Sequence, residues 1–268
     1  MMIQPHSSTS TSPSPSLGKI AMLTGKAQRR TEQLREIDWS AGVLVPGSVR
    51  PAVYVDMVSQ LYWAERVALE VLERMRRELP EAEAGAFLAT QVDDEARHAA
   101  LYLEYLQRLG ELAPRDPGLG EVFHAAMQWN GPAWGRVVAL NVMMEHEALH
   151  QQKRRIATLP CPLFKQVNRQ IADDESRHAA FGVLYLEHAV PRAEEGEKAE
   201  VMRWLGQLWG LWQQANRGRY QAEGEEVLRL DAEELAHRGR RVTATLASLG
   251  LGSQHAQHAQ HAPAPAKM

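Results

Sequence analysis

The chain has 268 residues, 44% of them apolar, with a formal net charge of −3 at pH 7 and a pI near 6.4. That length suits one large helical domain or two small ones. The lack of a basic excess argues against nucleic acid as a partner, and no apolar run is long enough to span a membrane. A single cysteine, Cys161, excludes an intramolecular disulfide and fits a reducing cytoplasm.

Residues 1–18 are rich in Ser, Thr and Pro and lack the charged start and apolar core of a secretory signal, so they read as a disordered leader. An amphipathic helix is expected from Gly18 to Trp39, ended by Ser40-Ala41-Gly42 and the Pro46-Gly47 turn. From Pro51 to Glu78, Tyr54, Met57, Val58, Leu61, Tyr62 and Glu65 recur at helical spacing. A second helix runs from Glu83 to Leu109 and stops at Gly110. Pro114 and Pro117-Gly118 then break the chain before a short helix, Glu121 to Gln128. Gly131-Pro132 opens a helix reaching Thr158, and another spans Leu163 to Val190, before Pro191. Two more are expected over 196–221 and 224–248; in the first, Trp204, Leu205, Leu208, Leu211 and Trp212 form an apolar stripe for packing on the bundle. The His/Gln/Ala repeat around His255, His258 and His261 marks 251–268 as a solvated low-complexity tail. The expected organisation is therefore one helical domain over 19–250 with its core at 52–190.

That core is a duplication. Asp93-Asp94-Glu95-Ala96-Arg97-His98-Ala99-Ala100 returns 80 residues later as Asp173-Asp174-Glu175-Ser176-Arg177-His178-Ala179-Ala180. The same offset aligns Glu65 with Glu145, Leu79-Pro80 with Leu159-Pro160 and Tyr105-Leu106 with Tyr185-Leu186. Glu65 and Glu95 each lie 15 residues from Pro80, as Glu145 and Glu175 do from Pro160. If each proline marks the turn of a helical hairpin, both carboxylates of a hairpin sit about 22 Å from it, at one level. His98 follows Glu95, and His178 follows Glu175, at i+3 on the same helix face. Two such hairpins packed together gather four carboxylates and two imidazoles at one height. Four buried carboxylates repel and are costly to desolvate, whereas two divalent cations cancel their charge. Mixed carboxylate and imidazole donors suit iron or manganese.

Glu147-Ala148-Leu149-His150 carries the same Glu-x-x-His spacing, but the 80-residue register selects Glu145, and Glu147 cannot share its helix face. Asp94 and Asp174 are candidate acceptors for the free N–H groups of the histidines. Arg97 and Arg177 stand four residues after Asp93 and Asp173, at ion-pair spacing.

The duplicated Asp-Glu-x-Arg-His motif with its two partner glutamates resembles the ferritin-like di-iron carboxylate superfamily, over roughly 52–190. The resemblance implies an all-α, ferritin-like four-helix bundle of two duplicated hairpins, with extra N- and C-terminal helices. It implies two iron ions, or a manganese–iron pair, bound by Glu65, Glu95, His98, Glu145, Glu175 and His178 and reacting with O2. Tyr102 stands where the small subunit of class I ribonucleotide reductase carries its radical tyrosine, four residues after the first ligand histidine. That subunit usually has Asp where Glu65 stands. Arylamine N-oxygenases carry an extra histidine where this chain has Ile171, and rubrerythrins need more than one cysteine. Ferritins are nearly bare bundles, so the extra ordered length here favours a substrate pocket, as in bacterial di-iron oxidases and oxygenases such as the aldehyde-deformylating enzymes.

The expectation is an O2-dependent oxidase or oxygenase acting on a small organic substrate, with Tyr102 as a candidate catalytic phenol. Electrons would come from a separate reductase, since no nicotinamide or flavin fingerprint is present; a homodimer fits the architecture. The alternatives are a ferroxidase and a radical-bearing subunit. A cavity beside the metals separates them: a long apolar tunnel points to a fatty substrate, a short polar pocket to an amine or amino acid, and none to iron handling.

Overall fold

The computed structural model describes residues 14–252, and the expected low-complexity repeat lies outside the described residues. Among the described residues all regular structure is helical, and no helix is long and apolar enough to cross a membrane.

The bundle is built from α2 (Pro51–Glu78), α3 (Ala82–Leu109), a rod made of α5 (Trp134–Val137), a π-helical segment (Val138–Met144) and α6 (Glu145–Thr158), and α7 (Pro162–Ala189). Pro51 and Pro162 occupy first-turn positions where the missing N–H costs nothing, and Gly110 closes α3 in the left-handed conformation at φ 107°. The turns after α2 and α6 hold Pro80 and Pro160 and occupy only 79–81 and 159–161, so α2 with α3 and α6 with α7 are antiparallel hairpins. The two turns lie at opposite ends of the bundle, and the connection from 110 to 133 runs the length between them, carrying α4 (Pro117–Met127).

Two apolar clusters fill the interior. One gathers Leu72, Met75, Phe87, Leu88, Val137, Phe181 and Leu186; the other gathers Tyr54, Met57, Tyr102, Tyr105, Phe164 and Ile171. Between them lies a polar belt. Helix α1 (Pro15–Thr31) packs across α3 and α7, while α4 packs against α8 (Glu195–Asn216) and α2. Helix α9 (Ala232–Ser248) lies against the π segment.

Several boundaries differ from expectation. Helix α1 starts at Pro15, inside the leader expected over 1–18, and ends at Thr31 rather than Trp39. Helix α4 starts at Pro117, where the Asp116 carboxylate caps Leu119 N–H, not at Glu121. Helix α8 ends at Asn216 because Gly218 and Tyr220 take positive φ, and α9 begins only at Ala232, after the Asp231 cap. The π segment carries no Gly or Pro to announce it.

Helix α7 meets that segment at Gly182, where a Cβ would stand 2.6 Å from Asn141 Cβ. Gly182→Ala is expected to destabilise the fold by about 1–3 kcal/mol through overpacking. Gly206→Ala, on an open face of α8 with nothing within 4 Å, should be neutral or stabilising by under about 1 kcal/mol. Thermal unfolding by circular dichroism reads both; equal melting temperatures would contradict the close approach.

Candidate metal centre

Each bundle helix brings one carboxylate to the same level: Glu65 from α2, Glu95 from α3, Glu145 from the start of α6 and Glu175 from α7. His98 and His178 stand one turn beyond Glu95 and Glu175, and all six side chains are buried. Ligand atoms of Glu65, Glu95, His98 and Glu175 lie within 4.8 Å of one another, and so do those of Glu95, Glu145, Glu175 and His178. Two metal-sized groups thus overlap, sharing Glu95 and Glu175.

The imidazoles are oriented for ligation. His98 Nδ1 faces inward, 3.3 Å from Glu95 Oε2 and 3.9 Å from Glu65 Oε2. His178 Nδ1 lies 2.9 Å from Glu175 Oε2 and 3.2 Å from Glu95 Oε1. The Nε2 atoms face outward and across the bundle: His98 Nε2 meets Asp174 Oδ2 at 3.1 Å, and His178 Nε2 meets Asp94 Oδ2 at 3.2 Å. Each aspartate therefore serves the histidine of the other hairpin and holds a proton on Nε2, so that Nδ1 is the nitrogen a cation would take in place of its proton.

Arg97 and Arg177 lock this crossing. Arg97 Nη2 lies 2.6 Å from both Asp94 Oδ1 and Asp174 Oδ2; Arg177 Nη2 lies 2.6 Å from Asp174 Oδ1 and 3.2 Å from Asp94 Oδ2. The ion pairs expected with Asp93 and Asp173 do not form. One residue earlier on a helix is a rotation of about 100°, which turns Asp93 and Asp173 to the exposed side, where Asp173 takes Arg30 of α1 at 2.9 Å.

Electrostatics favour cations here. Burial, reinforced by the charges of Glu95 and Glu175, holds the Glu65 and Glu145 carboxyls well above the usual range. At Glu95 burial pushes the same way but is overcome by the two imidazoles, His178 foremost, and the pKa falls well below it. Burial opposes charge on His98 too, yet Asp174 and Glu95 raise it to about 9. Protons balance the charge in part, and the donor set of carboxylates and imidazole nitrogen fits two divalent iron or manganese ions.

The π segment sets one side of the belt. Glu145 N–H reaches back five residues to Leu140 O, and the wider turn presents Asn141 to the interior. Asn141 Nδ2 donates to Gln91 Oε1 at 2.9 Å and to His178 O at 3.2 Å. Gln91 Nε2 in turn donates to Glu145 Oε1 at 2.8 Å and Glu95 Oε1 at 3.2 Å. Sequence reading missed this amide relay, because isolated amides at helical spacing carry no signal of their partners.

A cavity of about 170 Å³ opens beside the carboxylates, between α2 and α6. Glu65, Glu95, Glu145 and Glu175 line it, with Val67, Val71, Met143, Trp204 and Leu208 as apolar walls. Trp204 packs in the core, stacked on Trp129 at 4.3 Å, and walls the cavity as well. Tyr102 is buried but is not among the lining residues: its hydroxyl donates to Asn168 Oδ1 at 2.9 Å. Glu147 lines the cavity outside both ligand groups and is paired with Arg238 of α9 at 2.8 Å; His150 faces Glu234, Nε2 to Oε1 3.6 Å. The Arg238 partnership spans 91 residues and left no mark in the local sequence.

No family model matches the chain and no curated protein matches it. Solved structures do. One described as protein 19 with aldehyde deformylating oxidase activity from Synechococcus superposes with a TM-score of 0.64 at 14% identity, over 81% of this chain and 99% of that one. A tyrosine-to-phenylalanine mutant of an R2-like ligand-binding oxidase, with an anaerobically reconstituted Mn/Fe cofactor, gives 0.65 at 17% identity over 88% and 93%. An R2-like ligand-binding oxidase with an aerobically reconstituted metal cofactor after photoconversion gives 0.61 at 16% over 90% and 88%. At such identities the likeness establishes the fold, an all-α ferritin-like bundle.

Asp94→Asn and Asp174→Asn, which keep side-chain size but weaken the acceptor, are each expected to lower Fe(II) or Mn(II) affinity by about 10- to 100-fold. Chelator competition reads the loss, and affinities within twofold of the unmodified chain would remove the aspartates from the site.

Proposed function

We propose that this protein is a non-haem di-metal oxidase or oxygenase that uses O2 on a small organic molecule. The observation that carries the reading is the pair of overlapping ligand groups opening onto an apolar-walled cavity. Glu65, Glu95, His98 and Glu175 would hold one ion and Glu95, Glu145, Glu175 and His178 the other, as iron with iron or manganese with iron. The bound ions supply redox chemistry with O2. The chain does the rest. Glu95 and Glu175, shared between the groups, keep the two positions adjacent, and Gln91 steadies Glu95 and Glu145 through N–H donors. Asp94 and Asp174 keep the proton on Nε2 of the histidines so that Nδ1 remains a donor. The walls of Val67, Val71, Met143 and Trp204 exclude water and seat the substrate's apolar body.

A cavity of this kind favours an organic substrate over Fe(II) itself. Tyr102, buried and bonded to Asn168 rather than lining the cavity, fits a redox role at a distance better than contact with substrate. A separate reductase would supply electrons. The buried thiol of Cys161 suits a reducing, cytoplasmic setting.

Metal analysis after anaerobic reconstitution is expected to give two ions per chain, lost in Glu95→Ala with Glu175→Ala. Stopped-flow mixing with O2 should then give a discrete transient that decays faster with an organic substrate. Ferric mineral accumulating beyond two irons per chain would overturn the oxidase reading, and no stoichiometric metal would overturn the metal centre.

A further inference from the structure

Three arginines line the cavity. Arg136 is paired with Glu78, and Arg219 reaches Asp116 at 2.6 Å and Asp56 at 2.7 Å. Arg155 differs. It is 8% exposed, and among the described residues its Nη2 donates only to the neutral Gln151 Oε1 at 2.8 Å while its buried Nη1 has no partner. An arginine stays charged in a protein, and removing its charge from water without a counter-charge costs several kcal/mol. Burial pushes its pKa down; the nearby phenols of Tyr220 and Tyr102 oppose this, while Arg154 and Arg238 add to it. Two divalent ions would neutralise the four glutamates, so the centre as read above leaves no negative charge over for Arg155.

Position says what could supply one. Arg155 follows Glu145 by ten residues on α6, about 15 Å along the axis at 1.5 Å per residue. Long helical side chains lean toward the helix N-terminus, which carries this guanidinium back toward the carboxylate belt. Beside it the cavity is lined by Gln151, Gln152 and Tyr220, and past the belt by Val71, Trp204 and Leu208. A polar end with one unbalanced cation thus faces a mostly apolar end, where Arg136 is already balanced by Glu78, with the glutamates between. A single uncompensated guanidinium matches a planar monoanion better than a phosphate dianion.

We infer that Arg155 is the binding residue for the carboxylate of the substrate, a monocarboxylate whose apolar chain passes Glu65 and Glu145 toward Val71, Trp204 and Leu208. This rests on the oxidase reading for the word substrate, but the binding itself does not depend on turnover.

The test uses octanoate and octan-1-ol as matched probes, titrated calorimetrically into the metal-loaded protein, with metal content and O2 consumption recorded separately. Octanoate is expected to bind more tightly than octanol. Arg155→Gln should weaken octanoate by about thirtyfold or more while leaving octanol nearly unchanged. Arg155→Lys, which keeps the charge without the fork, should retain part of the preference. Equal affinities of the wild-type chain for the two probes, or undiminished octanoate binding by Arg155→Gln, would overturn the assignment. Should Arg155→Gln fail to fold, the wild-type comparison and Arg155→Lys decide, and undiminished octanoate binding by Arg155→Lys overturns it. Normal octanoate selectivity in a chain that neither holds two ions nor consumes O2 would instead sink the oxidase reading and leave the anion site standing.

Discussion

Glu65, Glu95, Glu145 and Glu175 are kept from water by an apolar cluster on each side, and like charges so enclosed repel unless something positive lies among them. That requirement shapes the bundle outward from its middle. It fixes the level at which four helices align, turns both imidazoles inward by Nδ1, and demands acceptors for their outward Nε2 atoms. Those acceptors are themselves buried acids, so Arg97 and Arg177 must lie over them, and Arg30 of α1 joins the edge of the same network. The outer helix α1 is thereby tied to the centre by charge as well as by packing.

What was readable in the sequence followed from repetition. A matching string 80 residues apart, with a proline midway between carboxylates in each copy, is a geometric statement, because helix rise is constant and a hairpin turn reflects one helix onto the other. Hence the repeat alone brings the four carboxylates, the two histidines and the all-α hairpins together. The pairing of Arg97 and Arg177 departs from expectation for a related reason: i+4 spacing names partners along one helix, whereas Asp94 and Asp174 meet both guanidiniums from opposite hairpins.

What was not readable lies where the copies diverge. Eighty residues on from Gln91 stands Ile171, eighty before Asn141 stands Leu61, and Met75 and Gly182 correspond to Arg155 and Tyr102. The amide relay, the π segment, the arginine without a counter-charge and the phenol of Tyr102 therefore each exist in one half only. Gln91 and Tyr102 find their partners on other helices, and single polar residues with no repeat give no period to detect. The skeleton is near-symmetric, while the chemistry around it is one-sided, as is the cavity that lies beside the carboxylates.

The crossed arrangement of His98 with Asp174 and His178 with Asp94 also bears on how the molecule assembles. Each candidate ligand group takes residues from both hairpins, as each histidine takes its supporting acid, so neither hairpin alone offers an ion that geometry. For ions held by those two groups, capture and the docking of the hairpins would be one thermodynamic event, each raising the occupancy of the other. Without ions the buried carboxylates would oppose that union, and bound cations would turn the same carboxylates into a link between the two hairpins.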